Sequence, residues 1–244
     1  MGGIHAPAQN HLLAGVSITT MNQLRPHLTL VQLRPGQPLS ESGRHMTHVY
    51  FPTTSIVSLL YTLSDGSTSE IAVVGNEGLV GVSAFMGGDS MLSRAVVQSA
   101  GYAYQLPARI LTNEFQRGGL MQRLLLRYAQ ALLTQTAQTA VCNRHHSVDQ
   151  QLCRRLLLSL DRLLSNEVLM TQELIANMLG VRREGITEAA GRLQSAGMIE
   201  YRRGRIRVLD RRALQSRCCE CYAIVKAESD RLLMTDTNAL MMAS

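Results

Sequence analysis

At Pro107 the hydrophobic pattern of this chain changes period. Before it, apolar residues come in short or alternating runs: Leu28 to Leu33, Val49 to Phe51, Ile56 to Leu63, Ile71 to Val74, Val80 to Val82, Ala95 to Val97 and Tyr102 to Leu106. Between them stand Pro35-Gly36, Gly43, Asp65-Gly66, Gly75, Gly78 and Gly87-Gly88, residues that supply the backbone angles of turns. Short strands at such spacing predict a β-sandwich or barrel. Pro107 itself suits the first position of a helix, where its missing N–H is no loss. From Gly119 to about Asn143 the spacing is helical, with Leu120, Leu124, Tyr128, Ala131, Leu132, Gln135 and Gln138 near one stripe. A helix of some 25 residues, about 37 Å, is long for the interior of one domain. Periodicity alone leaves two uses for it, pairing with a second copy and packing within its own core. A shorter leading helix is expected from about Asn10 to Leu24, interrupted by Pro26.

The 244 residues suffice for two domains, and 45% hydrophobic against 17% charged residues is the balance of a folded chain. Met1 to Asn10 has no cationic stretch leading into an apolar run, and no 18 apolar residues are consecutive. A cytoplasmic protein without a membrane partner is expected. The five cysteines, Cys142, Cys153, Cys218, Cys219 and Cys221, are odd in number and confined to the second half, so reduced thiols are expected rather than a disulfide framework. The net charge of +6 is unevenly spread. Met170 to Arg217 holds 10 Arg against 5 acids, whereas the 169 residues before it hold 12 against 9. Such a concentration is the footprint expected for a polyanion partner.

That basic segment also carries the most informative pattern. Ser147 and Gln150 have the spacing of a capping box, opening a helix expected to run through Leu164. Thr171 can cap a helix with apolar positions Leu174, Ile175, Met178 and Leu179, closed by Gly180. A second helix is expected from Arg182 to Ser195. Ala176, Gly180 and Ile186 then supply the small residue at the crossing, the turn glycine and the apolar anchor of a helix-turn-helix. Ile199 and Tyr201, the basic turn Arg202-Arg203-Gly204-Arg205, and Ile206 and Val208 read as a two-stranded wing. A hairpin that served only for packing would not need arginines along both the second helix and the wing.

With these motifs in view, the chain resembles the Crp/Fnr superfamily of bacterial transcription regulators from about Leu12 to Arg212. The likeness is strongest from Thr171 to Leu209, and Gly180-Val181-Arg182-Arg183-Glu184 is similar to the segment that enters the family's recognition helix. Leu33, Gly36, Leu39 and Gly43 resemble the start of its β-roll. The resemblance implies an α+β fold: a double-stranded β-helix (jelly-roll-like) sensor domain over 1–118, a dimerisation helix over 119–146, a winged helix-turn-helix over 147–217, and a C-terminal helix and tail over 218–244. It implies a homodimer on double-stranded DNA, with RNA polymerase as a further partner. Arg183, Glu184, Thr187 and Glu188 become the base-reading set, and Thr171, Arg182, Arg192, Arg202, Arg203 and Arg205 the phosphate contacts. The dimer seam is expected along Leu120, Leu124, Tyr128, Ala131 and Gln135. The alternative is a ligand sensor whose C-terminal module binds protein.

Departures from the family pattern narrow the effector. The expected pocket is Gly81, Val82, Ser83, Ser93 and Arg94. Yet Gly81-Val82 stands where cyclic-AMP binders have Gly-Glu, and Arg94 is one residue from the phosphate-binding position. In a strand, such a slip turns a side chain to the other face. Cyclic AMP is therefore not expected, which leaves another small molecule, such as a cyclic dinucleotide, or none. Arg182 stands where the family has a capping Ser or Thr, and Glu188 replaces a base-contacting Arg. Leu214, Cys218, Cys221 and Val225 share helical spacing, so these thiols are read as core packing, with no metal site. His27, His45 and His48 are read as surface or hydrogen-bonded residues rather than haem ligands. Nothing resembles a Ser-His-Asp set, a phosphate loop or a metalloenzyme motif, so no enzyme is expected.

Overall fold

A computed structural model describes residues 5–88 and 90–233. The leading helix is two helices, α1 (His11–Ala14) and α2 (Ile18–Leu24). Asn10 and Ser17 each accept backbone N–H bonds and so start a helix of their own. Seven strands follow: β1 (Thr29–Leu33), β2 (Pro38–Ser40), β3 (His48–Pro52), β4 (Ile56–Thr62), β5 (Thr68–Val74), β6 (Arg94–Ser99) and β7 (Gly101–Pro107). They form two antiparallel sheets, ordered β1-β7-β3 and β2-β6-β4-β5. The run Val80 to Val82 is no strand. Only Val80 bridges to Tyr50, and the chain then turns into α3 (Ser83–Met86). Pro107 ends β7 and lies one residue before α4 (Ala108–Gln116), as its cap rather than its first residue.

A core forms between the sheets and is closed by α5 (Gly119–His145), which spans about 40 Å. Phe51, Val57, Leu59, Val74 and Leu106 meet Leu124, Leu125, Tyr128 and Leu132 of that helix. Two polar contacts fix the docking. The Tyr128 hydroxyl donates to the Leu79 carbonyl at 2.8 Å. Gln135 accepts from the Val73 amide at 2.8 Å and donates to its carbonyl at 3.1 Å, as a neighbouring strand would. Gly78 allows the approach, since a Cβ there would run into the Tyr128 ring.

This docking places the residues expected at the seam in the chain's own core. Leu124, Tyr128 and Gln135 are buried within their own chain, and Leu120 and Ala131 are half-buried beside them. The opposite side of α5 carries Arg123, Leu126, Gln130, Leu133, Ala137, Ala140 and Arg144, all exposed and alternating by three and four residues. Leu126 and Leu133 remain 52% and 65% exposed.

Beyond the capping box of Ser147, α6 (Val148–Leu160) stops at Asp161, short of Leu164. Then come β8 (Glu167–Leu169), α7 (Gln172–Leu179), α8 (Arg183–Ser195), β9 (Ile199–Arg202), β10 (Arg205–Val208), α9 (Arg211–Arg217) and α10 (Glu220–Leu233). Strand β8 makes a third member of the wing sheet, ordered β8-β10-β9. Leu152, Leu156, Ile175, Ile186, Leu193 and Ile206 form a second core, which Ile56 and Val73 join from the four-stranded sheet. A buried ion pair links the two parts: Arg155 of α6 meets Glu70 of β5 at 2.8 Å and also bonds Gln98 of β6.

Candidate nucleic-acid interface

Helix α7 begins where the Thr171 hydroxyl accepts the Leu174 amide at 3.1 Å, and ends at Gly180, whose φ of +65° is left-handed. Ile175, Ala176, Met178 and Leu179 are buried, while Leu174, expected inside, is exposed. The turn delivers the chain to α8, capped by the backbone of Arg182 without help from its side chain. Ile186, Ala189, Ala190 and Leu193 anchor one face of α8. Arg183, Glu184, Thr187, Glu188 and Gly191 fall on the other, all exposed. Glu184 lies in the first turn, where the helix dipole favours negative charge. The Thr187 hydroxyl donates to Gln172 at 2.9 Å, so it ties α8 to α7.

The arginines of this region divide by their partners. Arg182, Arg183 and Arg203 have no carboxylate partner among the described residues. Arg202 pairs with Glu200 at 3.0 Å, and Arg205 with Glu167 at 2.8 Å, across the exposed face of the wing. Arg192 is committed elsewhere. Its guanidinium forks onto Asp149 of α6 at 2.6 and 3.0 Å and touches Glu188 at 3.7 Å. Arg217 meets the same carboxylate at 3.1 Å. Hydrogen bonds from Arg192, with Arg217 adding to them against the effect of burial, hold the Asp149 carboxyl below its usual range. Arg192 is thus a brace between α8 and α6 rather than a free cation, a correction the sequence allowed only through the i,i+4 spacing from Glu188.

In the N-terminal domain, Gly81, Val82 and Ser93 share a lining with Met46, Leu59, Met91 and Leu132. The space they leave is only about 10 Å³, no more than roughly one water. Ser83 is buried at the start of α3 and does not line it. Arg94 leaves the expected pocket altogether, its guanidinium meeting Glu41 at 2.9 Å on the half-exposed side of β6. Nor do the cysteines follow the expected helical stripe. The chain breaks between α9 and α10 at Cys218-Cys219, leaving Cys218 half-buried and turning Cys219 and Cys221 toward Cys142 of α5 and His146 at its C-terminal cap.

Two family models match this chain. The model for a cyclic nucleotide-binding domain covers residues 30–117, and that for a Crp-like helix-turn-helix domain covers residues 150–217. Among solved structures, a transcriptional regulator of the Crp/Fnr family from Eubacterium rectale is similar in fold, with a TM-score of 0.66 at 17% identity over 84% of this chain and 96% of that one. FixK2 of Bradyrhizobium japonicum gives 0.66 at 17% identity over 79% and 98%. The c-di-GMP responsive global regulator CLP of Xanthomonas campestris gives 0.61 at 14% identity over 80% and 100%. No curated protein matches the chain in sequence. Among the described residues, no helix is long and apolar enough to cross a membrane.

Proposed function

Because the chain belongs to the Crp/Fnr superfamily of transcription regulators, we propose that it binds double-stranded DNA as a homodimer, with α8 in the major groove and the wing against the backbone. The observation that carries this reading is the outer face of α8. Arg183 stands exposed there with no carboxylate partner among the described residues, beside Glu184 and Glu188, on a helix whose other face is firmly anchored. A guanidinium so placed can make a bidentate contact to guanine, while Arg182 and Arg203 flank it as phosphate contacts. Arg202 and Arg205 join them once DNA competes with Glu200 and Glu167; Arg192 does not. The second subunit docks along Leu126, Leu133, Ala137 and Ala140, since an exposed apolar series alternating by three and four residues suits a parallel or antiparallel helix pair. The resemblance to the family favours the parallel one. RNA polymerase is the further partner this reading implies, and the cytoplasm its place of action.

For the effector, we infer that cyclic AMP is not held between β6 and α5. Met46, Met91 and Leu132 fill that space, Val82 offers no acceptor to a ribose, and Arg94 is engaged with Glu41. A cyclic dinucleotide is the first alternative to assay, because CLP, of similar fold, is c-di-GMP responsive.

Selection of bound sequences from random duplexes at two salt concentrations tests the DNA reading. Arg183→Ala is expected to relax base preference at one position of each half-site, a loss of about 1–3 kcal/mol of discrimination. Arg203→Ala is expected to keep the preference and flatten the salt dependence by about one unit per subunit. Unchanged base preference in Arg183→Ala would show that α8 does not read sequence in this way. Absence of any salt-dependent binding to duplex DNA would favour a module that binds protein.

A further inference from the structure

Three thiols and an imidazole converge where the end of α5 meets the start of α10. Cys142 lies in the last turn of α5, and His146, four residues on, caps the end of that helix with its amide bonded to the Cys142 carbonyl at 3.0 Å; Cys219 precedes α10 and Cys221 lies in its first turn. Their ligating atoms all lie within 4.8 Å of one another. Cys142 Sγ is 3.6 Å from Cys219 Sγ, and Cys221 Sγ is 3.4 Å from His146 Nδ1. A zinc ion bonds sulfur at about 2.3 Å and imidazole nitrogen at about 2.0 Å, so adjacent corners of its tetrahedron stand roughly 3.5–3.8 Å apart. Those two edges therefore have the length that a single ion requires. A disulfide would need about 2 Å between sulfurs. A multi-iron cluster distributes its ligands over several metals and holds them farther apart than this group allows.

We propose that Cys142, His146, Cys219 and Cys221 bind one Zn²⁺ in a closed, four-coordinate Cys₃His site.

The surroundings of the four ligands suit this role better than that of packing. Beyond the metal-facing nitrogen, His146 Nε2 meets the Glu220 carboxylate at 3.3 Å, the carboxylate–histidine arrangement that orients a metal-bound ring. Gln138 Nε2 donates to Cys221 Sγ at 3.1 Å, and the Gln151 side chain holds the His146 carbonyl at 2.9 Å. Cys142, Cys219 and Cys221 are buried with no aliphatic side chain in their cluster. Loading replaces three thiol protons by the ion while the imidazole enters neutral, leaving a net charge of −1. The buried Arg154 of α6, whose guanidinium donates to the Thr139 hydroxyl of α5 at 2.8 Å, three residues before Cys142, offsets that charge. With no open coordination position the ion is structural. It pins α10 to α5 immediately before Ser147, the residue that opens α6. The site stands whether or not the chain binds DNA.

Metal content of the full-length chain, purified under reducing conditions, is expected to be about one zinc per chain. Cobalt(II) substituted into the stripped protein should show the intense d–d and sulfur-to-cobalt absorption of tetrahedral thiolate coordination. Cys142→Ser and Cys221→Ser should lose that absorption, while Cys153→Ser, a buried thiol outside the group, should keep it. Glu220→Gln should bind cobalt roughly 10- to 100-fold more weakly with its spectrum retained. Circular dichroism reports whether each variant folds, and His146→Gln at a half-buried position keeps the test open if Cys142→Ser does not. Purification without metal, a weak octahedral cobalt spectrum, equal affinity in folded Cys221→Ser or His146→Gln, or recovery of a Cys142–Cys219 disulfide in place of the ion would each overturn the assignment.

Discussion

Arg203 sits at the tip of the wing with a φ of +47°, followed by Gly204 at +78°. A two-residue hairpin with both central residues left-handed favours Asn-Gly, because a longer side chain crowds its own carbonyl there. Arginine accepts that strain and keeps a cation at the outermost point of the wing, where no carboxylate of the described residues neutralises it. Stability and DNA affinity should therefore respond in opposite directions at this position. Arg203→Asn is expected to stabilise the fold by about 0.5–1 kcal/mol in urea unfolding. The same variant should bind random duplex DNA more weakly by fluorescence anisotropy. A variant that is less stable, or one that binds as tightly as the parent, would leave the strain without a functional reason.

Helix α6 ties the helix-turn-helix together, and Asp149 forms its ion pairs with both α8 and α9. The folded state holds this carboxyl lower than an unfolded chain does, so its ionised form favours folding. That contribution is complete above the unfolded value of about 4 and disappears as pH falls through the lower folded value. Urea midpoints measured at falling pH should drop more steeply in the parent than in Asp149→Asn, and parallel curves would rule out the brace. The elements around it were largely readable in the sequence, since the capping box at Ser147, the cap at Thr171, the left-handed Gly180 and the Arg203-Gly204 hairpin are all local chemistry. So was the placing of Arg183, Glu184, Thr187 and Glu188 on one face of α8. What escaped depends on partners distant in the chain. Arg192 finds Asp149 43 residues away, and Cys142 finds Cys219 at a separation of 77. Short elements escaped too, because Val80 to Val82 has the composition of a strand but pairs only at Val80, with Tyr50, before the chain turns into α3.

At the scale of the molecule, periodicity located α5 but could not say which apolar stripe its own sheets would claim. Leu124 belongs to the core beneath Gly15 and the β-roll, and Leu133 lies on the opposite, uncovered side. Leu133→Glu is accordingly expected to give a folded monomer by light scattering and circular dichroism, whereas Leu124→Asp should damage the fold itself. A Leu133→Glu protein that stays dimeric would move the interface elsewhere. The uncovered stripe has a further consequence for how the regulator would respond to its own abundance. It places leucine at Leu126 and Leu133 but Gln130, Ala137 and Ala140 between and beyond them, a sparser contact than the leucine-rich seam of a strong zipper. Where pairing is weak enough that most chains are single, the paired form grows with the square of the amount synthesised, so halving production lowers it about fourfold. Promoters served by such a protein would register small changes in gene dosage as large changes in output.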